Sequence, residues 1–114
     1  MVDDHAGFRE QARALLEDGG YAVVAEAGDG ASALAAARAV RPDAVLLDVH
    51  LPDMDGYTVA AALAREHPAP RVVLTSTDAD EEVGSLVRRS GALRFVPKEA
   101  LADAALGALW QAPA

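Results

Sequence analysis

Apolar residues follow two spacings along this chain, and the two alternate. Ala44-Val45-Leu46-Leu47 runs without a polar break into Asp48, and Pro52, Asp53, Asp55 and Gly56 then mark a turn. A short apolar run bounded by turn residues suits a strand buried on both faces. Arg71-Val72-Val73-Leu74-Thr75 repeats the pattern and again ends on a polar side chain; Tyr21 to Ala25 and Arg94-Phe95-Val96 read as shorter strands. Between these runs the spacing becomes helical. Phe8, Ala12, Leu15 and Leu16 precede Gly19-Gly20, a C-cap signal, and Leu34, Ala37 and Val40 line a helix over Ala31 to Val40 that Pro42 ends. Val59, Ala60 and Leu63 predict a third helix from roughly Tyr57 to Glu66, stopped by Pro68-Ala69-Pro70. Val83, Leu86 and Val87 predict a fourth from about Asp80 to Ser90 with Gly91 as its cap, and Ala100 to Trp110 gives a last.

Strand and helix alternating in this way predict an α/β fold with a parallel sheet and right-handed crossovers, a doubly wound domain occupying residues 1–114. One element is short. A strand belongs before the first helix, yet only Met1 and Val2 stand ahead of Asp3 and Asp4, where a typical strand has about five or six residues. The first strand is thus mostly missing, and Asp3 and Asp4 are expected to be poorly held, with two neighbouring strand edges exposed.

Composition narrows the function. A net charge of −8 without any run of Lys or Arg disfavours nucleic acid and anionic membranes. There is no cysteine for disulfides or thiolate metal sites. No basic and apolar leader opens the chain, and no apolar run is long enough to cross a bilayer, so a soluble cytoplasmic protein is expected.

A parallel sheet gathers the polar residues at its strand ends on one edge. Asp3, Asp4, Asp48, Thr75 and Lys98 would meet there. Close carboxylates raise one another's pKa unless a cation intervenes, and Mg²⁺ suits a site of one or two carboxylates plus a phosphate. When a phosphoryl group arrives, a carboxylate can attack it to form an acyl phosphate, while lysine and hydroxyl groups neutralise its oxygens. The three histidines lie on separate elements and suggest no histidine metal site.

In order, Val2-Asp3-Asp4-His5, Val45 through Gly56, Val72-Val73-Leu74-Thr75-Ser76, and Gly91-Ala92 leading to Phe95-Val96-Pro97-Lys98 resemble the CheY-like receiver domain of bacterial two-component response regulators. The resemblance covers essentially the whole chain. It implies a flavodoxin-like sheet of strand order 2-1-3-4-5, with Asp48 as phosphoacceptor from a histidine kinase or histidine phosphotransfer protein. It further implies Mg²⁺ held by Asp3, Asp4, Asp48 and the backbone carbonyl of His50, with Thr75 as switch hydroxyl, Lys98 as charge partner and Phe95 as the aromatic that follows the switch. The domain would accept a phosphoryl group without turnover and signal through a downstream protein partner, with a homodimer among the assemblies the resemblance allows. Pro97 preceding Lys98 and Glu99 following it depart from the commoner pattern, in which proline follows the lysine. Counting back from Gly91 keeps Ser76 open as an alternative to Thr75. His50 and Thr77, each two residues beyond a site residue, would overhang the phosphoryl group and tune its hydrolysis.

Each site also has a plainer role: Asp48 as a helix cap, Asp3-Asp4 as a solvated terminus, Thr75 as a strand-end hydroxyl, Lys98 as a surface lysine, Phe95 as core. Asp53, Asp55 and Gly56 are expected to shape the turn and start the third helix. A chain ending after its fifth helix suggests a stand-alone receiver, with an excised receiver nearly as consistent. The competing classes are a degenerate receiver used as a phosphorylation-independent interaction or dimerisation module, which the short first strand favours, and an aspartate-nucleophile phosphatase. The last wants a second aspartate two residues beyond the nucleophile, where this chain has His50.

Overall fold

The two uninterrupted apolar runs become the centre of a parallel sheet. A computed structural model describes residues 1–77, 83–103 and 108–111. Its elements are α1 (Ala6–Asp18), α2 (Gly30–Val40), β1 (Ala44–Asp48), α3 (Gly56–Leu63), β2 (Arg71–Ser76), α4 (Val83–Ser90), β3 (Arg94–Pro97) and a 3₁₀ helix (Lys98–Asp103). The strands pair in the order β1-β2-β3, all parallel, with Leu47 opposite Leu74 and Asp48 opposite Thr75.

Alternation along the strands supplies two apolar faces. Val45, Leu47, Val72 and Leu74 pack with Ala33, Val59, Leu63 and Val87 from α2, α3 and α4. Leu46 and Val73 pack on the other face with Ala12 and Leu16 of α1 and with Leu101, Leu109 and Trp110. Leu47, Leu63, Leu74, Val59 and Val73 are fully buried, each contributing about 1.5–3 kcal/mol relative to exposure.

The first strand is reduced to Val2, which forms single parallel bridges to Ala27 on one side and Leu47 on the other. Its N–H donates to the Leu46 carbonyl at 2.8 Å and its carbonyl accepts from Asp48 N–H at 2.9 Å, while Asp3 N–H reaches the Ala27 carbonyl at 3.0 Å. The order expected to the left of β1 is therefore carried by bridges rather than strands. Tyr21 to Ala25, expected as a strand, lies outside the ladder because its neighbour offers so few residues to pair with. It keeps strand-like alternation: Tyr21, Val23 and Ala25 are half-buried and Ala22 and Val24 exposed.

Two helices also differ from expectation. α3 ends at Leu63, and the chain tightens through Arg65 N–H to Ala62 O (3.2 Å) and Glu66 N–H to Leu63 O (3.1 Å), the i→i+3 bonds that close many helix ends. The expected α-helix over Ala100 to Trp110 begins as the 3₁₀ helix, whose three-residue repeat sets Lys98 and Leu101 on one side. Lys98 lies over the Phe8 ring, and Leu101 is buried in the cluster against which Phe8 packs. Residues 104–107 of that helix, and residues 78–82 before α4, lie outside the described residues.

Candidate functional site

The sheet's carboxyl edge brings together most of the polar residues singled out in the sequence. Asp48, last residue of β1, and Thr75, its register partner in β2, are both buried, as is Asp3. By strand alternation Asp48 and Thr75 share the face of Leu46 and Val73, and Ser76 takes the opposite face. Lys98 Nζ reaches this edge from the end of β3, 2.7 Å from Asp3 Oδ2 and 3.3 Å from Asp48 Oδ2. The Thr75 hydroxyl donates to the Val96 carbonyl at 2.6 Å. Phe95 is half-buried against the α4 side of the core.

Asp3 is held far better than a two-residue strand suggests. Its carboxylate accepts the His5 N–H at 2.8 Å, its carbonyl accepts from the Arg9 guanidinium, and Arg9 Nε also donates to Glu26 at 3.2 Å. One α1 side chain thereby ties the Asp3 backbone to the 21–27 segment. Arg9 was not singled out in the sequence. Its signal was there, since an arginine near a helix N-terminus opposes the macrodipole preference for acidic residues. Asp4 is exposed beside the site.

The loop after β1 is built around Asp48. His50, itself exposed, donates its N–H to Asp48 Oδ1 at 3.1 Å. Asp55 caps α3 by accepting Thr58 N–H at 2.7 Å. Gly56 is required there, because a Cβ would overlap the Asp48 carbonyl oxygen. Asp53 does something else: it accepts the N–H groups of Gly30 and Ala31 at 2.7 and 3.0 Å, capping α2 from across the edge rather than starting α3. Those two N–H groups hold its pKa below the usual carboxylate value.

Charge at this edge is unbalanced. Burial first, and then the neighbouring Asp3 carboxylate, push the Asp48 pKa above its ordinary value, against the opposing His50 N–H and Lys98. Burial pulls Lys98 down, but hydrogen bonding and attraction from Asp3 and Asp48 leave its pKa raised. Buried carboxylates in excess of ammonium are a setting that a hard cation relieves. One donor atom from each of Asp3, Asp4, His5 and Asp48 lies within 4.8 Å of the others, and the carboxylate-rich set fits an oxygen-seeking divalent ion. The imidazole was missed because the histidines were judged by their spread along the chain. His5 Nδ1 in fact lies 3.0 Å from Asp4 Oδ1 and 3.3 Å from Asp3 Oδ1.

A parallel α/β sheet with buried aspartates, a threonine and a lysine converging on its carboxyl edge belongs to the class of open α/β domains that carry their ligand sites at the strands' carboxyl ends. The family model described as "Response regulator receiver domain" matches residues 1–109, and the chain belongs to that family. It is 43% identical over 99 residues to protein-glutamate methylesterase/protein-glutamine glutaminase 2 of Anaeromyxobacter dehalogenans, covering 86% of this chain and 29% of that protein. It is 35% identical over 98 residues to the transcriptional regulatory protein PdtaR of Mycobacterium tuberculosis, covering 86% and 47%. The chain thus spans less than half the length of these relatives.

Among solved structures, the receiver domain of the response regulator NarL from Mycobacterium tuberculosis superposes with a TM-score of 0.82 at 36% identity, covering 95% of this chain and 91% of that one. A Burkholderia pseudomallei response regulator solved with a phosphorylated aspartic acid, calcium ion and citrate gives a TM-score of 0.84 at 26% identity, covering 96% and 64%. The chain is a receiver domain of two-component signalling and is not itself a catalytic domain. Receiver domains of this family interact with histidine kinases and downstream effectors. Among the described residues no helix is long and apolar enough to cross a membrane.

Proposed function

We propose that Asp48 is the phosphoacceptor of a two-component relay and that residues 1–114 act as one receiver unit. The observation that carries this is the convergence of Lys98 Nζ on both Asp48 and Asp3, at 3.3 and 2.7 Å, beside Thr75 in register with Asp48. The similar Burkholderia pseudomallei protein, with its phosphorylated aspartic acid and calcium ion, lends support.

In the transfer, an Asp48 carboxylate oxygen bonds to the phosphorus of a phosphohistidine donor while the P–N bond breaks, its electron pair leaving with the imidazole. Lys98 stands where it can meet the developing negative charge. His50 N–H fixes the carboxylate's orientation through Oδ1. Asp3, Asp4 and Asp48, with the His50 carbonyl, are the proposed holders of Mg²⁺, which when bound would offset charge on the phosphoryl oxygens. Once a dianion sits on Asp48, Thr75 can exchange the Val96 carbonyl for a phosphoryl oxygen, and Phe95 can move into the space it leaves. That change would alter the surface offered to a downstream protein.

Incubation with acetyl phosphate and Mg²⁺ tests the reading. Wild type should gain one phosphoryl group by mass, and Asp48→Asn should gain none. A folded wild type that stays unmodified would instead point to a phosphorylation-independent interaction module, the reading favoured by the single-residue pairing at Val2.

A further inference from the structure

The residue that opens α1 is out of character for its place. Ser, Thr, Asp and Asn are favoured as N-caps, because their side-chain oxygen accepts a free N–H of the first turn. His5 holds that position in α1, and its side chain makes no such bond. Its backbone still serves the helix, the carbonyl accepting Arg9 N–H at 3.1 Å. The ring is turned over the acidic edge instead, although it stays 71% exposed and gains little burial there. Nothing in α1 accounts for an imidazole at this position; the sheet edge does.

His5 Nδ1 lies 3.0 Å from Asp4 Oδ1 and 3.3 Å from Asp3 Oδ1. A ring N–H donates along one line and satisfies one oxygen well, yet this nitrogen faces oxygens of two residues. The spacings are those that ligands of a common ion keep. With metal–ligand bonds of about 2.1 Å, adjacent ligands stand about 3.0 Å apart in an octahedral shell and about 3.4 Å apart in a tetrahedral one. Asp48 supplies the fourth donor, all four lying within 4.8 Å of one another, where opposite octahedral ligands stand about 4.2 Å apart. The residue is also held from behind. Asp3, itself fully buried, accepts the His5 N–H at 2.8 Å, so one carboxylate both anchors His5 and shares the face its ring presents. Asp3 and Asp48 have one ammonium between them, which leaves carboxylate charge at this edge for a cation to offset.

We propose that His5 is a nitrogen ligand of this edge and makes it a site for imidazole-binding transition ions such as Zn²⁺, in competition with Mg²⁺. The inference rests on the reading that Asp3, Asp4 and Asp48 hold a divalent ion. What it adds is selectivity. Mg²⁺ takes oxygen ligands and gives up its waters reluctantly, so an imidazole beside it contributes little. Zn²⁺ accepts imidazole and carboxylate together and binds such mixed sets tightly. His5 should therefore leave Mg²⁺ affinity to the carboxylates while raising that for Zn²⁺. His50 and His67 are exposed, and neither belongs to the cluster of donors, so the effect is assigned to one histidine of the three.

Calorimetry of the full chain with Zn²⁺ and, separately, with Mg²⁺ tests this, using His5→Asn as the variant. Asparagine is a favoured N-cap, so α1 should fold at least as well. Zn²⁺ affinity should fall at least about tenfold, the lower end of what losing even an outer-shell partner costs a metal site, while Mg²⁺ affinity stays near its wild-type value. Zn²⁺ binding should also weaken in Asp4→Asn and with added Mg²⁺. The ring-nitrogen resonance of His5 should move with Zn²⁺ and not with Mg²⁺, a response that a purely structural histidine would not give. Unchanged Zn²⁺ affinity in His5→Asn would overturn the proposal. So would equal losses for both ions, Zn²⁺ binding indifferent to Asp4→Asn, or a loss of Zn²⁺ that appears instead in His50→Gln or His67→Gln. A wild type that binds Zn²⁺ through His5 but takes up no Mg²⁺ would sustain the proposal and remove Mg²⁺ from the edge; binding of neither ion would overturn both readings.

Discussion

Asp48 and Asp3 share one ammonium, so an ionised Asp48 is not fully compensated in the folded protein. Its folded pKa lies above the unfolded value of about 3.9, and the folded state therefore keeps a proton that the unfolded chain has lost. Stability falls as pH rises through the window from that unfolded value up to the raised folded one, and the cost persists at neutral pH. Asp48→Asn should consequently melt a few degrees above wild type at pH 7 in metal-free buffer, with the gap closing toward pH values near about 4. Melts across that range check it, and a variant melting lower at pH 7 refutes it. Lys98 works in the other direction. Lys98→Met leaves Asp3 and Asp48 facing each other inside the edge and should cost about 3 kcal/mol in urea unfolding, part of it recovered by Mg²⁺. His50 is exposed and bound to Asp48 only through its backbone, so His50→Ala should fold normally yet change the lifetime of the phosphorylated form severalfold. An unchanged decay rate would remove its side chain from the site.

At the scale of elements, the loop between β1 and α3 is fastened at three points: Asp53 on the α2 N-terminus, Asp55 on α3, and Gly56 against the Asp48 carbonyl. Gly56→Ala should cost about 1–3 kcal/mol as overpacking, because the obstructing atoms are backbone and cannot swing aside. It should also slow phosphorylation by acetyl phosphate, since the obstructed carbonyl belongs to Asp48 itself; normal stability and rate would contradict this. The core of this arrangement was legible in the sequence: β1 and β2 announce themselves as unbroken apolar runs, and Asp48 and Thr75 follow because a parallel sheet aligns its ends. Other parts depend on register or on distance. Thr75 and Ser76 are indistinguishable by counting and are separated only by which face each takes opposite Asp48. The Asp53 contact to Gly30 joins residues far apart in sequence, and although an arginine early in α1 is an unusual placement, its targets, the Asp3 carbonyl and Glu26, are set by the fold and not by any local motif. The 3₁₀ start after β3 was hidden by an alanine-rich stretch whose propensity favours an α-helix, and tertiary packing of Lys98 and Leu101 prevails over it.

Across the whole molecule, a net charge of −8 adds a general self-repulsion to that of an edge already holding excess negative charge. Any added salt will stabilise the chain somewhat by screening, so a rise in melting temperature with MgCl₂ is not by itself a sign of a site. Specific binding has a different signature. A ligand that binds only the folded state adds RT ln(1 + [L]/Kd), about 2.7 kcal/mol at one hundred times Kd, or a shift of roughly 10 °C for a domain of this size. Screening depends on ionic strength and should be indifferent to which carboxylate is removed. Asp4 is the discriminating position, because it is exposed and its replacement should leave the fold intact. Wild type should therefore gain more from MgCl₂ than from NaCl at matched ionic strength, and Asp4→Asn should lose that excess while keeping the NaCl response. Equal gains from the two salts, or an excess that survives in Asp4→Asn, would mean that the acidic edge binds no Mg²⁺ through Asp4.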